Sequence, residues 1–153
     1  MSLTHFNKKN KKIDMVDITN KKKTKRIAEA QCFIKIDKNL YKILSTDEKL
    51  FNNLCNTAKI AGILAAKNTS KQIPLTHYIP LDYVNIEFKL HNNSIHLKSQ
   101  IKSKYSTGLE IEALNSITTS SITIFDMLKS YKKKLNIKKI ELIKKRGGKN
   151  NIG

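Results

Sequence analysis

The sequence predicts an α+β fold, a four-stranded antiparallel sheet with two main helices on one face. Three observations carry this. The 153 residues suit one compact domain. Hydrophobic periods of two and of three to four alternate in the order strand, helix, strand, strand, helix, strand. The two strands adjacent in sequence are joined by a short polar turn, the mark of an antiparallel hairpin. Hydrophobic residues make up 39% and charged residues 27%, enough apolar material for a packed core.

Residues 1–25 carry two lysine-rich stretches, Lys8–Lys12 and Lys21–Lys25, around the patch Met15-Val16-Asp17-Ile18, and read as an extended basic arm. From residue 28, Ala28, Ala30, Cys32, Ile34 and Ile36 alternate with Glu29, Gln31 and Lys35, the pattern of a half-buried strand. A short helical stretch over about 38–44 precedes Ser45-Thr46-Asp47-Glu48, a helix start. Leu50, Leu54, Ala58, Ala61 and Ala65 then repeat at steps of three and four, which predicts a helix over 48–67.

Residues 68–82 hold both prolines, Pro74 and Pro80, and no period, so they form a loop. Val84, Ile86, Phe88 and Leu90, the turn His91-Asn92-Asn93-Ser94, and Ile95, Leu97 and Ile101 form the hairpin, with Asn85, Glu87, Lys89, His96 and Lys98 outward. A second long helix is expected over about 109–132, although Thr118-Thr119-Ser120-Ser121 has weak helix propensity and needs tertiary packing. A last strand over 137–144 leads into a basic, Gly-containing tail, residues 145–153. With right-handed crossovers this order is a ferredoxin-like sandwich over residues 26–144. Its sheet is covered on one face only, which predicts self-association.

Thirty Lys+Arg against twelve Asp+Glu give a net charge of +18, and only Arg26 and Arg146 are arginines. Base-specific readout favours arginine's planar fork, so a sequence-specific nucleic-acid reader is disfavoured. The charge reads either as compositional background, in a chain rich in Ile, Asn and Lys, or as a field for an anionic partner. Cys32 and Cys55 have neither zinc-ligand nor disulfide-framework spacing. No apolar run approaches a bilayer span and the N-terminus lacks a signal-like run, so a soluble cytoplasmic protein is expected, with no membrane partner.

Several stretches carry chemistry: Lys59-Ile60-Ala61-Gly62-Ile63-Leu64-Ala65-Ala66-Lys67 running into Ile73-Pro74-Leu75-Thr76-His77; Thr107-Gly108-Leu109-Glu110-Ile111-Glu112-Ala113-Leu114; and Lys144-Lys145-Arg146-Gly147-Gly148-Lys149. With Leu3-Thr4-His5, Met15-Val16-Asp17 and Thr123-Ile124-Phe125-Asp126-Met127, their order and spacing resemble the molybdenum-cofactor biosynthesis protein C family (MoaC) over nearly the whole chain. The resemblance implies a cyclic pyranopterin monophosphate synthase, a phosphorus–oxygen lyase. Such an enzyme converts a cyclised dihydroguanosine triphosphate, made by a partner radical enzyme, and releases pyrophosphate. It implies a homohexamer, a trimer of dimers, and no resident cofactor or protein-held metal, with magnesium at most accompanying the triphosphate.

The residues implied for substrate are Arg26, Lys67, Thr76, Glu110, Ile111, Glu112, Lys145 and Lys149, the glycine pair at 147–148 letting backbone amides approach phosphate. Implied as catalytic are Asp126 and Lys129, which stand three apart on one helix face, together with His77 and Lys49. A lysine desolvated among other cations has its pKa lowered toward neutrality, as proton transfer requires. Glu110 and Glu112 also suit the positive end of a helix. His5 reads as structural, and His91 and His96 are assigned nothing.

The chain departs from the family pattern in three places. Cysteine before and proline after the loop histidine become Thr76 and Tyr78. A lysine-bearing Lys-Gly-Asp turn becomes Phe51-Asn52-Asn53, with Lys49 two residues upstream. The family's Thr-Gly-Lys-Thr-Gly becomes Lys104-Tyr105-Ser106-Thr107-Gly108. Two other readings follow: a catalytically degraded member kept as a binding or scaffold protein, and a basic nucleic-acid module.

Overall fold

A computed structural model describes residues 3–131 and 135–153. Its elements are β1 (Thr24–Lys35), α1 (Lys38–Thr46), α2 (Glu48–Lys67), α3 (Thr69–Gln72), β2 (Tyr83–His91), β3 (Ser94–Tyr105), α4 (Glu110–Leu128) and β4 (Asn136–Arg146). The sheet is antiparallel with strand order β2-β3-β1-β4, the ferredoxin-like arrangement, and α2 and α4 pack side by side on one face. No helix among the described residues is long and apolar enough to cross a membrane.

The alternation in β1 sets the layers. Ala28, Ala30, Cys32 and Ile34 are wholly buried beneath the helices, joined from β3 by Ile95, Leu97 and Ile101 and from α4 by Ala113, Ile117 and Ile124. The opposite face is polar, yet Glu29 at its centre is only 4% exposed. Lys98 from β3 and Lys144 from β4 reach its carboxylate at 2.8 and 3.4 Å, and Gln100 Nε2 donates to it at 2.7 Å. Burial alone would raise its pKa; these bonds and charges outweigh that and hold the carboxyl below its ordinary value.

The ends of the elements have local causes. Asp37 and Asp47 cap α1 and α2, their carboxylates accepting from Leu40 N and Leu50 N at 2.8 Å. Asn92 and Asn93 turn the hairpin with φ of 47° and 55°, the double left-handed geometry of a two-residue turn. The weak helix stretch in α4 is held by packing: Ser120 Oγ donates to Ala58 O at 2.9 Å, and Gly62 of α2 faces Ser116 and Ser120 with no room for a side chain. The wholly buried Ser116 and Ser120 keep the two helices close.

The boundaries differ from expectation where long-range pairing intervenes. β1 begins at Thr24, inside the expected arm, because Thr24 and Lys25 pair with Tyr105 and Lys104. β4 runs to Arg146, and the expected tail folds back so that Lys145 and Ile152 exchange backbone hydrogen bonds of 2.9 and 3.0 Å. The long helix stops at Leu128; its expected end at 132 lies outside the described residues. The arm is packed on the domain, with Lys21 O accepting from Ser106 Oγ at 2.9 Å.

Candidate active site

A cavity of about 800 Å³ opens where four separate stretches converge: the N-terminal arm, the Leu75–His77 loop, the Thr107–Glu112 entry to α4, and the end of β4 with the residues after it. The loop is aimed by backbone geometry, since Leu75 sits in the left-handed region at φ 64°, an uncommon state for a bulky residue. His77 Nε2 lies 2.7 Å from Val16 O. A carbonyl can only accept, so Nε2 donates; in the neutral ring this leaves Nδ1 with a lone pair. Thr76 Oγ1 donates to Ile73 O at 2.8 Å.

The first turn of α4 brings two carboxylates of different character. Glu110 is ion-paired with Lys145 at 2.5 Å. Glu112 is 4% exposed, and its carboxyl is pushed up to about 7, first by burial and further by the Glu110 charge, against a bond from its own backbone N–H. A Cβ on Gly108 would strike the Glu110 carboxylate, so glycine there lets Glu110 fold back toward Lys145. Near neutral pH the pocket therefore offers in Glu112 a carboxyl that gives or takes a proton, beside the imidazole of His77, whose Nε2 is held by Val16 O. It also holds the cations Lys8, Lys21, Lys145 and Lys149.

Of the residues singled out in the sequence, Thr76, His77, Glu110, Ile111, Glu112, Lys145 and Lys149 line this cavity. Arg26 stands beside it, Nε and a terminal nitrogen lying 3.3 and 3.4 Å from Tyr105 O and Ser106 O, just ahead of the lining residue Thr107. Lys67, the exposed last residue of α2, is not in the lining.

Asp126, Lys129 and Lys49 lie elsewhere. Asp126 and Lys129 bond each other at 2.6 Å, with side chains 66% and 65% exposed. They stand at the far end of α4, whose 19 residues span about 28 Å at ~1.5 Å each. The helices run antiparallel, Asn115 bonding Ala65 O and Ser120 bonding Ala58 O, so the start of α2 lies at that same end. Lys49 is exposed there in the first turn of α2, while Phe51 is half-buried and packs on the core.

Sequence reasoning missed the arm. His5, Phe6, Lys8, Asp14, Val16 and Lys21 all line the cavity, and His5, read as structural, bonds Asp14 O through Nδ1 at 3.3 Å. Asp17 accepts from Thr19 Oγ1 and N at 2.6 and 2.8 Å, which hold its carboxyl below the ordinary value beside His77. The signal available was the motif Met15-Val16-Asp17 in a segment without secondary-structure period.

A sequence model described as the MoaC family matches residues 15–148, a span that takes in every described helix and strand. The chain belongs to the MoaC family. A relative in Saccharolobus solfataricus is 44% identical over 80% of this chain and 82% of its own length. Proteins named cyclic pyranopterin monophosphate synthase in Staphylococcus epidermidis and Peptoclostridium acidaminophilum are 38% and 37% identical, each covering 97% of this chain and 94% of their own. The MoaC span includes the Leu75–His77 loop, the entry to α4, Lys145 at the end of β4 and the latter part of the arm, while Lys149 and the lining residues before Met15 lie outside it.

Proposed function

We propose that this chain is a cyclic pyranopterin monophosphate synthase of molybdenum cofactor biosynthesis, a phosphorus–oxygen lyase acting on a cyclised dihydroguanosine triphosphate. The observation that carries the reading is the convergence of His77, Glu110, Glu112 and Lys145, distant in sequence and drawn from the family motifs, on one cavity with several cations. The names of the full-length relatives support the same activity. Forming a cyclic monophosphate from a triphosphate requires a substrate hydroxyl to attack the α-phosphorus while pyrophosphate leaves. Lys21, Lys145, Lys149 and the neighbouring Arg26 supply charge for the phosphates; His77 Nδ1 and Glu112 move protons. Magnesium enters only as the triphosphate's counter-ion, and no resident cofactor is assigned.

Lys129, paired with Asp126, is the further acid/base group, with Lys49 at the same end of the helix pair. Their placement about 28 Å from Glu110 along α4 supports a site completed between copies, one chain bringing the cavity and its neighbour the Lys129 end. A homohexamer, a trimer of dimers, is the proposed assembly. The enzyme is placed in the cytoplasm, downstream of the radical enzyme that makes its substrate, with no nucleic-acid partner.

Supplying the cyclised triphosphate and measuring cyclic pyranopterin monophosphate and pyrophosphate tests this; no product at high enzyme concentration overturns it. Phe51 packed on the core, where the family pattern has a lysine, favours one second reading, a member that binds without turnover. Tight substrate binding without product would establish that instead.

A further inference from the structure

The N-terminal residues 5–14 form a small closed flap. Phe6 and Ile13 make an antiparallel bridge, Asp14 N donates to His5 O at 3.0 Å, and Asn7 exchanges backbone bonds of 2.9 Å with Lys11 and Lys12. Two side-chain turns stiffen it, Asn7 Oδ1 accepting from Lys9 N at 2.9 Å and Asn10 Oδ1 from Lys12 N at 3.0 Å. The flap thus carries Lys8, Lys9, Lys11 and Lys12 on a defined backbone, and of these four only Lys8 lines the cavity, with Phe6 beside it.

The charges inside the cavity are unequal in availability. Lys145 shares its charge with Glu110 in an ion pair, whereas Lys8, Lys21 and Lys149 have no carboxylate within 4 Å among the described residues. Glu112, its carboxyl pushed up to about 7, cancels only part of that charge near neutral pH. The lining sets four lysines, Lys8, Lys21, Lys145 and Lys149, against Asp14, Glu110 and Glu112, and several spaced ammonium groups, one of them on the flap, fit an extended polyanion better than a single carboxylate or monophosphate.

We propose that the flap is a polyphosphate clamp, in which Lys8 closes on the outer phosphates of the substrate and of the departing pyrophosphate. This rests on the synthase reading for the identity of the substrate, but the binding itself does not require turnover. Lys8 is exposed and its side chain makes no hydrogen bond or ion pair among the described residues, so its neutralisation leaves the fold intact.

The test is calorimetric titration of inorganic tripolyphosphate into the full chain, Lys8→Gln and Lys9→Gln, at one salt concentration. Lys8→Gln is expected to weaken binding about tenfold, the loss of one charge-assisted contact, and Lys9→Gln by less than about twofold. Equal losses in the two variants, no loss in Lys8→Gln, or no binding by the unmodified chain overturns the clamp. With the cyclised triphosphate, Lys8→Gln should lower kcat/KM, and Lys9→Gln should not. A chain that makes no product yet keeps the Lys8-dependent binding upholds the clamp and overturns the synthase reading; full turnover with unaltered KM and Kd in Lys8→Gln does the reverse.

Discussion

Asp126 and Lys129 hold each other at 2.6 Å at one end of α4, while Glu110 and Glu112 open the cavity at the other. A lysine side chain reaches about 6 Å, far short of a helix that rises about 28 Å over 19 residues. Lys129→Ala and His77→Ala are therefore each expected to lose at least about a hundredfold in turnover. Mixed, unfolded together and reassembled, the two should recover a measurable fraction, because some interfaces would pair an intact cavity with an intact Lys129 end. Lys49→Ala should complement His77→Ala in the same way. Mixtures that stay as inactive as their parents would place the whole site within one chain.

Glu112 predicts a stability that falls with pH. Its folded pKa is about 7 against an ordinary 4.5, so between those values the native state binds more protons than the unfolded one and loses stability as pH rises. The loss is complete above about pH 7 and amounts to at most about 3.4 kcal/mol, at ~1.36 kcal/mol per pH unit. Glu112→Gln should match the native denaturation midpoint near pH 4.5 and exceed it at pH 8. Parallel curves for the two proteins across that range would contradict the assignment.

Glu29 carries the opposite sign. Its folded pKa lies below its ordinary value, so it stabilises the sheet above about pH 4.5 and this contribution fades as pH falls through the lowered pKa. Glu29→Gln should cost about 1.5–3 kcal/mol at pH 7, in the range of hydrogen bonds to charged groups. In urea denaturation the difference should shrink as pH falls through the lowered pKa.

Gly62 meets Ser120, Ile86 and the Ser116 backbone, so Gly62→Ala should destabilise by about 1–3 kcal/mol through overpacking, despite alanine's better helix propensity. Circular dichroism melts would register this as a lower Tm. A rise in Tm would mean that α2 and α4 can separate without cost.

Much of this fold is legible locally. The limits of α2 follow from the Asp47 cap and from apolar steps of three and four, and the hairpin from Asn92-Asn93 between alternating runs. What escapes is set by partners far along the chain: β1 gains Thr24–Ile27 from β3, and β4 gains Arg146 from Ile27. The motif stretches around His77 and Glu110 pointed to half of the candidate site. The expected helix over 109–132 already puts Glu110 and Lys129 at opposite ends; what was not visible is that the His77 loop, the arm and the end of β4 all meet at the Glu110 end. The arm was missed for a related reason. Its order comes from Val16 meeting His77 and from side-chain turns, neither of which leaves a period in the sequence.

The strand order has a consequence for synthesis. β1 is the second strand from one edge of the sheet, yet its neighbours are β3 and β4, the last two strands to be made. While the chain grows on the ribosome, one edge of β1 waits nearly sixty residues for its first strand partner, and the other edge waits for residues up to 146. Contacts this distant in sequence slow folding and leave a bare strand edge available to other nascent chains. Because β4 also delivers Lys145, the cavity and the sheet are completed by the same late event, and a chain arrested before β4 would lack both.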